Sequence, residues 1–152
     1  MNDTTSIHIL LADDDKDDCL FFKDVIEELS FSVSLTIVQD GEQLMQHLVT
    51  VSTNLPYALF LDMNMPRKNG LKCLTEIKNH STLKNLPVIV FSTSYDAEKA
   101  IQLYNTGAYY FICKPSDFEE LKKVIHQAIL LVKQNDEQAS KEKFLINKLK
   151  TA

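Results

Sequence analysis

Five short apolar runs alternate with segments whose apolar residues recur every three or four positions through roughly the first 133 residues. The runs begin at Ile7, Val33, Tyr57, Val88 and Tyr109, and four of the five are almost unbroken by polar residues. An unbroken apolar run is the pattern of a strand buried on both faces, which a parallel sheet covered by helices requires. Parallel neighbours in turn need long crossovers, and the intervening segments are long enough to supply helices. The expectation is an α/β chain: a doubly wound five-stranded parallel sheet with helices on both faces, flavodoxin-like, in strand order 2-1-3-4-5. The second run, Val33-Ser34-Leu35-Thr36-Ile37-Val38, admits polar residues in alternation and suits a place nearer an edge.

The helical stripes follow from spacing. They are read as Leu20, Phe21, Val25, Ile26 and Leu29; Leu44, Met45, Leu48 and Val49; Leu71, Leu74 and Ile77; and Ala97, Ala100, Ile101 and Tyr104. The fifth comprises Phe118, Leu121, Val124, Ile125, Ala128, Ile129 and Val132, with Asp117 as its cap. Gly107 suits a left-handed turn at the end of the fourth helix.

A chain of 152 residues with 45% hydrophobic content supports one well-filled core. Residues 1–133 are assigned to it. Residues 134–152 become polar and read as a helical extension or tail, too short for a DNA-binding output domain. Within it Phe144, Leu145, Ile146 and Leu149 form a small amphipathic patch that could pack back, pair with a second subunit or stay mobile. Cys19, Cys73 and Cys113 have neither disulfide nor zinc spacing, which fits a reducing cytoplasm. No run reaches membrane-spanning length, and a net charge of -5 disfavours direct nucleic-acid binding.

In the proposed order the ends of the first and third strands lie side by side, so Asp13, Asp14 and Asp62 enter one crevice at the winding reversal. Carboxylates so close repel, and the arrangement calls for a cation or displaced pKa values. Hard oxygen ligands without histidine or thiolate point to magnesium. Ser92 and Lys114, ending the fourth and fifth runs, would ring the same place with a hydroxyl and an ammonium. Such a set can turn a carboxylate into a nucleophile toward phosphorus and draw charge from the transferring group. Taken singly, each residue has an ordinary role as a cap, strand end or surface lysine; Asp15, Asp17 and Asp18 are read as capping and solvation. His8, His47, His80 and His126 have no ligand spacing.

Leu10-Leu11-Ala12-Asp13-Asp14-Asp15, the stretch Leu61-Asp62-Met63-Asn64-Met65-Pro66-Arg67-Lys68-Asn69-Gly70, Val90-Phe91-Ser92-Thr93-Ser94 and Gly107 through Lys114-Pro115 together resemble the four signature segments of response-regulator receiver domains. The resemblance covers about residues 5–133 and is closest in style to single-domain receivers similar to cyanobacterial phytochrome response regulators. It implies that Asp62 accepts a phosphoryl group from a sensor histidine kinase or histidine phosphotransfer protein. It also implies Mg2+ held by the Asp14 and Asp62 carboxylates, the Asn64 main-chain carbonyl and, through a water, Asp13. Lys114 would pair with Asp62 and then with the phosphoryl oxygens, while Ser92 and an inward-rotating Phe111 would act as the switch. Output, and a possible homodimer, would use the helix 4, strand 5, helix 5 surface, around which Tyr95, Tyr104 and Tyr110 fall. The chemistry would be self-phosphorylation and self-dephosphorylation rather than conventional turnover, with Asn64 and Ser94 influencing water attack. The alternatives are a phosphorylation-independent interaction module, a flavodoxin-like FMN protein, and an aspartyl phosphatase. The first loop lacks the FMN protein's phosphate nest, and the phosphatase's second Asp is here Asn64.

Overall fold

The apolar runs form the strands of one parallel sheet: β1 (Ile7–Ala12), β2 (Val33–Val38), β3 (Ala58–Leu61), β4 (Val88–Ser92) and β5 (Tyr110–Cys113). Their order is β2-β1-β3-β4-β5, as expected from sequence. The computed structural model describes residues 7–30 and 32–147. Leu149 of the C-terminal apolar patch lies outside them.

Four helices connect the strands, α1 (Lys16–Glu28), α2 (Gly41–Thr50), α3 (Gly70–Asn79) and α4 (Ala97–Thr106), and α5 (Phe118–Gln134) follows β5. Each starts on an Asp or Asn whose side chain accepts a main-chain N–H of the first turn: Asp15, Asp40, Asn69, Asp96 and Asp117. Gly107 ends α4 with φ 119°, a conformation that a Cβ would disfavour. None of the helices among the described residues is long and apolar enough to cross a membrane.

Side chains from alternate strand positions fill two cores. One lies beneath α2, α3 and α4 around Leu10, Leu59, Leu61 and Val90; the other lies beneath α1 and α5 around Ile9, Leu11, Phe60 and Ile89. In the second, Phe22, Phe60 and Phe91 meet edge to face, with centroids 5.0, 5.6 and 6.2 Å apart. Such pairs each add about 0.5–1.5 kcal/mol beyond area burial. Here they brace the ends of β3 and β4 just before Asp62 and Ser92.

Three helical stripes are phased differently from the sequence reading. In α1 the buried residues are Cys19, Phe22, Val25 and Ile26, whereas Leu20 and Phe21 are 58% and 44% exposed. At about 100° per residue Phe21 falls outside the stripe that Cys19, Phe22, Val25 and Ile26 share; it rests edge-on against Phe118 of α5, 6.1 Å away. Val49 of α2 is also exposed. In α4 the inward residues are Ala100 and Leu103, with Tyr104 half-buried and Ala97 and Ile101 exposed.

Beyond α5 the chain does not extend the helix. It passes a 3-10 turn at Lys141–Lys143 and returns along the outer edge of β5. The Phe111 N–H donates to the Phe144 carbonyl at 2.9 Å, and the Ile146 N–H donates to the Phe111 carbonyl at 3.0 Å. Asn147 continues the pairing with its side chain: Oδ1 accepts from the Cys113 N–H at 2.8 Å and Nδ2 donates to the Cys113 carbonyl at 2.7 Å. Phe144 is buried against Tyr104 and Phe111, and the Tyr104 hydroxyl donates to the Ala139 carbonyl. Of the three tyrosines singled out, Tyr110 is thus core, Tyr104 ties down the strap, and Tyr95 is 36% exposed.

Because Phe111 and Cys113 point their N–H groups at this strap while the Lys114 N–H bonds the Ser92 carbonyl, the two edges of β5 can be separated experimentally. In Phe144→Ala, the Phe111 and Cys113 amides should exchange hydrogen at least about tenfold faster, with the Lys114 amide nearly unchanged. Equal acceleration of all three would mean that the strap does not open independently of the sheet.

Candidate functional site

The crevice is set by register. Ala12 of β1 pairs with Leu61 of β3, and the Asp62 N–H donates to the Ala12 carbonyl at 2.9 Å, so both strands deliver their next residue at one level. Those residues are Asp13, fully buried, and Asp62, 5% exposed. Asp14 sits exposed at the rim. Oxygen atoms from Asp13, Asp14 and Asp62 lie within 4.8 Å of one another, a set able to coordinate a divalent metal.

Behind Asp62 the β3–α3 loop is seated very closely. A Cβ on Gly70 would stand 2.5 Å from the Asp62 carbonyl oxygen, so a side chain there would push the end of β3 out of place. Arg67 turns the loop with φ 69°, and the Asn64 N–H reaches Asp62 Oδ1 at 3.4 Å.

Lys114 follows β5, joined to Pro115 by a trans peptide bond. Its side chain is 7% exposed and its Nζ lies 2.7 Å from Asp13 Oδ2, 2.8 Å from Asp18 Oδ2 and 3.8 Å from Asp62 Oδ1. Burial pulls the ammonium's pKa down, but the hydrogen bonds to Asp13 and Asp18 outweigh it and leave the net shift upward. Burial raises Asp13, against the opposing pull of Lys114. Asp62 is pushed up to about 6, chiefly by burial, with Lys114 opposing and the charge of Asp13 adding to the rise. The cluster therefore crowds negative charge that a bound cation would relieve.

Ser92 is 1% exposed at the end of β4, and its Oγ accepts the Ser94 N–H at 3.3 Å. Phe111 already points inward, 2% exposed, with Tyr95 edge-on at 5.5 Å. A cleft of about 790 Å³ opens from the carboxylates toward α4; Asp14, Asn64, Ser92, Ser94 and Phe111 line it. The structure thus gathers every site residue expected from sequence: Asp13, Asp14, Asp62 and Lys114 in one charged cluster, with Asn64, Ser92 and Phe111 at its walls. The histidines lie elsewhere; His8 bonds Ser34 and Thr36 between β1 and β2.

Asp18, assigned to solvation by sequence, is a direct partner of Lys114. The available signal was its place as the third residue of α1 after the Asp15 cap. Helical side chains lean toward the N-terminus, so an acid there overhangs the strand ends.

Comparison with known proteins gives concordant results. The family model described as response regulator receiver domain matches residues 9–126. The chain is 30% identical over 121 residues to the response regulator Rcp1 of a Synechocystis species, covering 77% of this chain and 82% of that protein. Among solved structures, the phosphorylated cyanobacterial phytochrome response regulator RcpA superposes with a TM-score of 0.75 at 26% identity, over 82% of this chain and 91% of that one. The Mn(2+)-bound form of Rcp1 gives 0.71 at 26% identity, over 88% of this chain and 96% of that one.

The raised Asp62 pKa makes a signed prediction. Its folded value lies above the ordinary unfolded value of about 3.9, so the native state binds more protons between about pH 4 and 6 and loses stability as pH rises through that window. Above it the full penalty is present, on the order of 3 kcal/mol before relaxation. Asp62→Asn, measured by urea denaturation with a metal chelator, should therefore be about 1–3 kcal/mol more stable than wild type at pH 7.5, with most of the gap gone at pH 4.5. A gap that widens on acidification would refute the buried-charge account.

Proposed function

The chain belongs to the response-regulator receiver family, and from that premise we propose that Asp62 is its phosphoacceptor, charged by a phosphohistidine on a sensor kinase or phosphotransfer protein. Members of the family work by self-phosphorylation and self-dephosphorylation, and the Asp13, Asp14 and Asp62 cluster is suited to that chemistry. The observation that carries the assignment is the placing of one buried carboxylate, Asp62, between a metal-competent acidic pair and a buried ammonium.

In this reading an Asp62 carboxylate oxygen attacks phosphorus and a P–O bond forms as the P–N bond to the donor imidazole breaks. The bond pair returns to the ring nitrogen, and the proton on the other nitrogen keeps the leaving imidazole neutral. Asp14 and Asp62 by carboxylate, Asn64 by its main-chain carbonyl and Asp13 through a water would hold Mg2+, which when bound draws charge from the phosphoryl oxygens. Lys114 supplies the second cation, and Ser92 donates its hydroxyl to the phosphate. Hydrolysis reverses the load: water attacks phosphorus, the P–O bond to Asp62 breaks, and inorganic phosphate leaves the regenerated carboxylate. Asn64 and Ser94, both lining the cleft, flank the water's path.

Phosphorylation adds charge and acceptors where Ser92 and Lys114 can meet them, biasing a packing that includes Phe111. The surface read by a partner, or shared in a homodimer, is assigned to α4, β5 and α5. Exposed Ile101 and Tyr95 support that assignment, and the 138–147 strap forms part of the same face. Residues through 133 are taken as the receiver unit and the strap as its appendage. Three free, buried cysteines support a cytoplasmic site of action.

Acetyl phosphate with magnesium should add one labile phosphoryl group to wild type and none to Asp62→Asn, and chelation of the metal should abolish the adduct. Intact-mass measurement reads the result. An unlabelled wild type, beside a control receiver that is labelled, would remove Asp62 from the acceptor role toward small donors.

A further inference from the structure

The Lys114 ammonium has three N–H bonds to give. Asp13 takes one at 2.7 Å and Asp18 takes another at 2.8 Å, while Asp62 stands off at 3.8 Å. The two short bonds come from either side of the β1–α1 loop, one from a fully buried carboxylate and one from the first turn of α1. Together they fix where the charge stands and leave the third N–H without a short bond to a carboxylate, with Nζ 3.8 Å from Asp62 Oδ1.

We infer that Asp18 is a positioning residue for phosphoryl transfer, holding the Lys114 ammonium off the Asp62 carboxylate so that both the nucleophile and the cation are free to meet the incoming phosphoryl group. The inference rests on the acceptor reading of Asp62 given above. Without Asp18 the released N–H needs a new acceptor. Among the described residues, Asp62 is the third carboxylate within ion-pair range of Nζ, so the ammonium closes on it. That contact occupies the attacking oxygen in the ground state and moves the cation out of the place where transition-state charge gathers. Asp18 itself is not in the metal-competent set, so its loss should act on the transfer step rather than on metal affinity.

Asp17 provides the matched control. It lies in the same first turn and carries the same charge, but is exposed and makes no ion pair with Lys114. The experiment follows the rate of phosphorylation by acetyl phosphate across a magnesium titration for wild type, Asp18→Ala, Asp18→Glu and Asp17→Ala. Asp18→Ala should lower the maximal rate about tenfold, with the half-saturating magnesium concentration within about twofold of that in Asp17→Ala. Asp18→Glu, which keeps a carboxylate at the position, should recover most of the loss. A maximal rate in Asp18→Ala equal to that of Asp17→Ala overturns the role of Asp18 alone. So does a fall in rate matched by an equal rise in half-saturating magnesium, since that is general damage to the site. A wild type that takes no phosphoryl group overturns the acceptor reading beneath it.

Discussion

The arrangement depends on keeping three carboxylates together at the ends of two adjacent parallel strands. Asp13 and Asp62 are both almost wholly buried, and neither can move apart because β1 and β3 are hydrogen-bonded in register up to the residues preceding them. The repulsion is therefore built into the sheet, and the fold has to answer it with cations. Lys114 is the resident one; its removal would leave buried charge unpaired, a loss on the order of 3–5 kcal/mol in comparable pairs. A divalent metal, which the three carboxylates are able to coordinate, would be the other, and even beside Lys114 burial and the charge of Asp13 displace Asp62 upward. The geometry that crowds these charges is the same geometry that suits the cluster to phosphoacceptor chemistry and to coordinating a divalent metal.

Much of this was legible because it depended on period and position along a strand. Continuous apolar runs located the strands, and Asp13, Asp62, Ser92 and Lys114 stood at the runs' carboxyl ends, where an α/β sheet puts its site. The stripes of α1 and α4 were misphased because Leu20, Phe21 and Ile101 are apolar residues on outer faces, and spacing alone accommodates either phase when apolar residues are adjacent. Asp18 was overlooked for a related reason. An acid in a first helical turn has a sufficient local explanation in the helix dipole, and its pairing with Lys114 spans 96 residues of sequence, a distance no local pattern encodes. The strap's destination was equally closed to sequence, since Phe144 and Leu145 fit several partners until β5 is seen to need an edge cover.

That cover ties the site to the far side of the molecule. A four-residue strand buried on both faces would leave main-chain groups open along its outer edge, a liability that folds generally mask. Here Phe144, Ile146 and the Asn147 amide mask it, and Asn147 imitates a strand by serving both the N–H and the carbonyl of Cys113. The same short strand carries Phe111 at the wall of the cleft and is followed directly by Lys114 in the charged cluster with Asp13, Asp18 and Asp62. Phe111 packs against Phe144 on one side and Tyr95 on the other, so it cannot change its place without one of those contacts changing too. Close packing does not deform smoothly, and neighbours linked in this way shift between discrete arrangements. In the proposed switch, any free energy that phosphorylation would spend on moving Phe111 would be shared with the strap, and by linkage the docking of the strap would act back on the site to the same extent.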